Sequence, residues 1–117
     1  MEYRNLQVWK QSIELTKQVY ELLKNLPPEE RYAIADQMRR AAVSIPSNIA
    51  EGCGRQTKKD VQHFLYIARG SVCEIDTQLE ICKEVGYIDE IQTKKLLNLT
   101  DHIHRMLTRL IDNLYVE

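Results

Sequence analysis

Glycine and proline are scarce in this chain, at four and three residues, so few loops are available and long regular segments must make up most of it. No apolar run approaches the roughly 20 residues needed to cross a bilayer, which leaves no candidate membrane span in the sequence. The three cysteines, Cys53, Cys73 and Cys82, are an odd number without C-x-x-C spacing. That pattern argues against a disulfide framework and, with no charged-then-apolar leader in view, fits reduced thiols in a cytoplasmic protein. Neither sign of charge is in excess. The formal net charge is -1 at pH 7, so attraction to a polyanion would have to arise from a local patch.

What is present is a globular composition, 44% hydrophobic and 28% charged over 117 residues, enough for a single domain (1–117) with a real core. Leu6, Trp9, Ile13, Thr16, Tyr20 and Leu23 step by three and four, which predicts a first helix with that face turned to a partner. A second set, Val8, Leu15, Val19, Leu22 and Leu26, lies beside it. The combined surface is wider than one seam requires, which suggests a second contact such as another subunit. Pro27-Pro28-Glu29-Glu30 should stop this helix and start the next.

The second helix is expected from about Glu29 to about Gly52, with Ile34, Met38, Ala42, Ile45 and Ile49 inward. Pro46 lies inside this run and should kink or break it near residues 42 to 46, because it lacks an N–H and crowds the Ala42 carbonyl. Gly52 and Gly54 suit the left-handed conformation that ends helices. Thr57-Lys58-Lys59-Asp60 has the form of a capping box opening a third helix. The seam of that helix is the cleanest in the chain: Val61, Leu65, Ala68, Val72, Ile75, Leu79 and Cys82. Gly86 should close it and Asp89 should cap a fourth helix, whose apolar face is Leu96, Ile103, Leu107, Leu110 and Leu114. Folding the chain about residues 86 to 89 pairs Leu65 with Leu110, Ala68 with Leu107, Val72 with Ile103 and Leu79 with Leu96. The fold class is therefore all-α, an antiparallel up-down-up-down four-helix bundle with a proline-kinked second helix.

Motifs that would carry chemistry are weak. Gly52-Cys53-Gly54 follows a helix where a dinucleotide site needs a strand, and it lacks the third glycine. His63, His102 and His104 include no H-x-x-x-H pair, and Glu80 with Glu84 lacks the Glu-x-x-His partners of a di-iron site. No base is recognisable beside a serine or cysteine nucleophile. The reading is no catalytic residue, no metal site, no cofactor and no enzyme activity. Cys53 falls in a turn, where it would be accessible, while Cys73 and Cys82 read as small packing residues.

Charge is polarised along the expected bundle. Arg4, Lys10, Arg55, Lys58, Lys59, Arg105 and Arg109 fall at or near one end, against Glu2, Glu51, Asp60, Asp112 and Glu117. Glu74, Asp76, Glu80, Glu84, Asp89 and Glu90 occupy the other stretch against Lys83 alone. Lysines at a helix start oppose its dipole, so Lys58 and Lys59 do not stabilise the third helix and instead suit a phosphate. Arg39 and Arg40 are expected opposite Gly70 and Ser71, with at least one pairing to a carboxylate such as Glu74 or Asp36.

The segment Q-M-R-R-A-A-V-S-I-P-S-N-I-A-E-G-C-G-R, Gln37 to Arg55, resembles the four-helix-bundle family of proteins encoded in intervening sequences of bacterial large-subunit ribosomal RNA genes. The opening Tyr3 to Trp9 and the stretch from Phe64-Leu65 through Arg69-Gly70-Ser71 to Glu74 are similar as well. In that resemblance Arg39, Arg40, Ser44, Pro46, Asn48, Glu51, Gly52 and Glu74 belong to the family motif, read here as structural. The family has no established catalytic activity. Its relatives include the accessory variability protein of diversity-generating retroelements, a homopentameric barrel with a basic, nucleic-acid-binding surface, and this relation implies a homo-oligomer, a pentamer, for the present chain. Two functions follow: a non-enzymatic oligomer that binds RNA or DNA through its basic end without reading sequence, or a protein-interaction module or scaffold with no nucleic-acid binding. No membrane partner is expected.

Overall fold

A computed structural model of the chain describes residues 2–114. Four α-helices follow in order, α1 (Gln7–Leu23), α2 (Ile34–Cys53), α3 (Lys58–Glu84) and α4 (Glu90–Asn113), with single-turn 3-10 helices at Tyr3–Asn5 and Pro28–Glu30. Each helix packs on the next, and α1 closes the arrangement against α4. The result is the expected four-helix bundle, 46 Å long and about two helix diameters across at 24 × 23 Å. Among the described residues no helix is long and apolar enough to cross a membrane.

The α3 seam is the axis of the core. Val61, Leu65, Ala68, Val72, Ile75, Leu79 and Cys82 are all buried, as their heptad spacing requires. Burying each of the larger aliphatic side chains contributes about 1.5–3 kcal/mol relative to leaving it in water. The α3 helix ends at Gly86 with φ +86°, where Tyr87 N–H donates to the Cys82 carbonyl at 2.8 Å and Gly86 N–H to the Lys83 carbonyl at 3.1 Å. This paired closure needs a left-handed residue, which glycine adopts without a Cβ clash. Asp89 then caps α4 by accepting from Gln92 N–H at 2.7 Å.

The α3–α4 pairing keeps the expected register. Gln62 Nε2 donates to the carbonyls of Ile111 (3.0 Å) and Leu114 (2.6 Å), and Arg69 donates to Thr108 Oγ1 at 3.0 Å. The α4 face differs at its end: Ile111 is buried while Leu110 and Leu114 are half-buried, and Thr93 and Thr100 join the core. A period of 3.6 rather than 3.5 moves the last core position one residue on.

Three expectations about the first two helices are corrected. On α1 and just beyond it the buried residues are Val8, Ser12, Leu15, Val19, Leu22, Leu23 and Leu26, so of the expected first face only Leu23 enters the core, whereas Ile13 and Tyr20 are exposed and Leu6, Trp9 and Thr16 half-buried. The all-aliphatic stripe takes the core, and the stripe holding indole, phenol and hydroxyl groups takes the flank, where polar atoms stay hydrated. The second helix does not begin at Glu29. A 3-10 turn made by i→i+3 bonds after the proline pair ends near Ala33, whose φ -116°, ψ -114° is not helical, and α2 starts at Ile34. Finally, Gly52 and Gly54 do not adopt positive φ, which among the described residues occurs at Gly86 alone.

Pro46 does not break α2, which runs unbroken from Ile34 to Cys53. Lacking an N–H, Pro46 leaves the Ala42 carbonyl without its helical donor. Thr16 of α1 supplies one: its Oγ1 lies 3.1 Å from Ala42 O and 2.8 Å from Ser12 O. The Ser12 carbonyl already receives the Thr16 N–H within α1, so the single hydroxyl proton stabilises most at Ala42. Small residues at Ala41 and Ala42, both buried, let α1 approach this closely.

Thr16→Val, which keeps the shape and removes the donor, should lower the free energy of unfolding in urea by about 1–3 kcal/mol, and Thr16→Ser should largely retain it. In a Pro46→Ala background the restored amide serves Ala42, so the cost of Thr16→Val should shrink; an unchanged cost would show that the hydroxyl does not serve that carbonyl.

Candidate nucleic-acid interface

The turn between α2 and α3 is short because the two helices touch there. A Cβ on Gly52 would lie 3.1 Å from Phe64 Cβ and 3.3 Å from the Val61 carbonyl oxygen, tighter than an ordinary van der Waals contact, so a side chain here would require α3 to give by a few tenths of an ångström. Thr57, with extended backbone, caps α3 by accepting from Asp60 N–H at 3.1 Å, the first half of the expected capping box. This geometry puts Lys58 and Lys59 on the first turn of α3, both exposed. The N–H groups of that turn have few intrahelical acceptors, so the local potential is positive.

The seven cations expected at this end divide. Arg55 is held by Glu51 at 2.6 Å while its guanidinium stacks 4.5 Å from the Phe64 ring centroid, so it clamps the turn. Arg4 pairs with Glu2 at 3.5 Å and lies over Tyr3 at 4.7 Å. Arg105 pairs with Asp101 at 2.9 Å. In the observed α3–α4 register Arg105 also lies some 20 Å along the axis from Lys58, nearer the middle of the bundle than its end. Lys10, Lys58, Lys59 and Arg109 are exposed and form no ion pair among the described residues. Lys58 and Lys59 are thus the concentrated part of the patch.

The motif residues build the α2–α3 contact. Ser44 and Ser71 hydroxyls meet at 2.8 Å, and Asn48 Nδ2 donates to Ser44 O (2.8 Å) and Ser44 Oγ (2.9 Å). Ser44, not Arg39 or Arg40, therefore faces Ser71. The expected position was wrong by more than a turn because the chain reverses nearer Thr57 than Arg55. Arg40 Nε pairs with Asp36 at 3.1 Å, and Arg39 donates to the Arg31 carbonyl at 2.9 Å with Asp36 at 3.8 Å. Glu74 is exposed and joins no ion pair among the described residues. The cysteines also differ from expectation: Cys53 is buried and Cys73 exposed, since α2 continues through Cys53 and turns it inward. Burial pushes the Cys53 and Cys82 thiols upward, away from the reactive thiolate.

Sequence reading did not resolve a second surface, although the width of the first helix hinted at it. Ile13 and Tyr20 of α1 and Val43 of α2 are 43%, 43% and 41% exposed. Tyr20 and Val43 border one groove with Arg39 and Arg40. At the opposite end of the bundle, Glu80 hydrogen-bonds Lys83 at 3.0 Å and, with Glu90 and Glu84, holds its ammonium above the usual range. Among the described residues no cluster of three His, Cys, Asp or Glu side chains could hold a metal.

A small antiparallel four-helix bundle, charge-polarised along its axis and carrying an exposed lysine pair at one helix start, is the class these features define. The chain belongs to the 23S rRNA-intervening sequence protein family, whose model matches residues 4–109. It is similar to a solved protein of unknown function of the S23 ribosomal protein family from Bacteroides thetaiotaomicron, with 28% identity and a TM-score of 0.83 over 89% of this chain and 97% of that one. No curated protein matches it.

Asp76, on the α3–α4 seam, is the least comfortable charge. Its Oδ1 is buried without a hydrogen-bond partner among the described residues. Burial pushes its carboxyl above the usual range; Thr100 and His104 act in the opposite direction, and Asp101 and Glu80 add to the rise. The single Thr100 hydroxyl proton is directed at the Leu97 carbonyl, 3.0 Å away, so burial prevails. A carboxyl raised in the folded state lowers stability above its folded pKa, and the loss disappears as pH falls below its unfolded value. Asp76→Asn should therefore melt a few degrees above the unmodified protein at pH 7, the difference vanishing below pH 3.8. A lower melting temperature at pH 7 would mean that a favourable partner holds the carboxylate.

Proposed function

We propose that the protein is a non-catalytic, self-associating helical bundle that binds RNA or DNA by its phosphates through the basic end, without reading sequence. The observation that carries this reading is the pair Lys58 and Lys59, exposed and without carboxylate partners among the described residues, on a helix start that they do not stabilise. Electrostatic contact of this kind is weak per protomer and needs multiplication, because the whole chain carries a charge of -1. Self-association supplies it. A ring of protomers would present the lysine pair several times, and the pentamer implied by the family resemblance would do so five times.

The exposed Ile13, Tyr20 and Val43 supply an apolar α1–α2 face for contact between copies. The same face supports a second reading, a protein-interaction module whose partner is a different protein.

Both parts are tested with purified protein. Binding to structured RNA and duplex DNA across a salt series should weaken steeply with salt, and Lys58→Ala/Lys59→Ala should lower the logarithmic slope by about two per bound protomer. No binding to these probes or to single strands, even at low salt, overturns the nucleic-acid reading. Light scattering after gel filtration should show an oligomer that Tyr20→Glu with Val43→Glu converts to a monomer of unchanged helicity. A native monomer overturns self-association and leaves the interaction-module reading.

A further inference from the structure

Three arginines lie over aromatic rings in the described residues: Arg4 over Tyr3 at 4.7 Å, Arg55 over Phe64 at 4.5 Å and Arg69 over Tyr66 at 5.0 Å from the ring centroid. All three belong to the basic half of the bundle. Two of the rings are engaged in packing. Tyr3 also meets Trp9 edge-on at 5.3 Å, and Phe64 is half-buried where α2 and α3 touch.

Tyr66 is different. It is 49% exposed and its hydroxyl makes no hydrogen bond among the described residues. Arg69, which lies over its ring, is itself held from α4 by Thr108 Oγ1 at 3.0 Å. The ring is thus backed by an anchored guanidinium while about half of the side chain stays in water. Lys59 and Tyr66 are seven positions apart, which is two helical turns, about 10 Å along the same side of α3. Asp60 projects about 100° away from Lys59 around the helix and does not stand between them.

A lysine pair two turns from an ordered, exposed ring matches a phosphate and an unstacked base on the same strand. In a duplex the base faces are hidden in the stack, and the ring would find nothing to pack on. We infer that the basic end takes nucleic acid in single-stranded form, with Lys58 and Lys59 on phosphates and Tyr66 as the platform on which one base stacks. The lysine contacts rest on the function proposed above; the polymer class and the role of Tyr66 go beyond it. A ring reads the face of a base and not its edge, so no sequence preference is expected beyond stacking strength.

The test is fluorescence anisotropy with labelled oligouridylate, oligodeoxythymidylate and a duplex of equal length. The unmodified protein should prefer both single strands to the duplex. Tyr66→Ala should weaken single-strand binding about fivefold to a hundredfold while leaving the salt slope unchanged, since no phosphate contact is lost. Tyr66→Phe should stay within about twofold of the unmodified protein, because stacking uses the ring and not the hydroxyl; this variant and the melting temperature of Tyr66→Ala guard against a mere loss of fold. Single-strand binding by Tyr66→Ala within about twofold, or tighter binding to duplex, overturns the inference, and if Lys58→Ala/Lys59→Ala still abolishes binding, the phosphate reading survives alone. Absence of binding to all three probes overturns both.

Discussion

Gly52 stands so near α3 that a Cβ would lie 3.1 Å from Phe64 Cβ, and the hydroxyls of Ser44 and Ser71 meet at 2.8 Å one step further along the same contact. The close approach of α2 to α3 at these small residues governs the rest of the bundle. It draws the connecting turn tight, turns Cys53 inward, and puts the start of α3, with Lys58 and Lys59, at the very end of the molecule. A Cβ at position 52 would require α3 to give by a few tenths of an ångström, and a close-packed core passes such a displacement on to its neighbours.

The second contact that follows from this packing is the one between α1 and α2. Proline in mid-helix ordinarily leaves a carbonyl without a donor, and here the Thr16 hydroxyl from the neighbouring helix serves it. The defect in one helix thereby becomes a specific attachment between two. The α1 helix is held by this polar contact and by the stripe from Val8 to Leu26, which leaves Ile13 and Tyr20 outside. The exposed apolar face is therefore a by-product of which stripe entered the core.

Charge separates along the axis for a related reason. The short turns bring the ends of alternate helices together, so the residues flanking those turns add their charges locally. At the acidic end Lys83 sits among Glu80, Glu84 and Glu90. At the basic end Arg4 and Arg55, and nearer the middle Arg105, are committed to nearby carboxylates, and an exposed ion pair of this kind contributes little to stability. Lys58 and Lys59, like Lys10 and Arg109, have no such carboxylate among the described residues, and what distinguishes them is that they stand adjacent on one helix start. The proposed interface rests on that difference and not on the overall charge.

Helix type, the α3 seam, the caps at Thr57 and Asp89 and the closure at Gly86 were all determined by the sequence, because each depends on a local period or on the chemistry of one or two neighbouring residues. The α3–α4 register was legible for the same reason: a short turn between two clean stripes admits few alternatives. Other features depended on contacts distant in the chain. Which α1 stripe is buried, how Pro46 is tolerated and why position 52 is glycine each turn on a partner from another helix. Part of the candidate site could be read in the sequence, namely Lys58 and Lys59 at a helix start. The pairs that hold Arg55 and Arg105 have i,i+4 spacing, to Glu51 and Asp101, and so also lay open in the sequence. Only the tertiary structure decided that Tyr66 stands exposed beside an Arg69 anchored from α4, since exposure and contact between helices are properties of the space between them and leave no periodic trace along the chain.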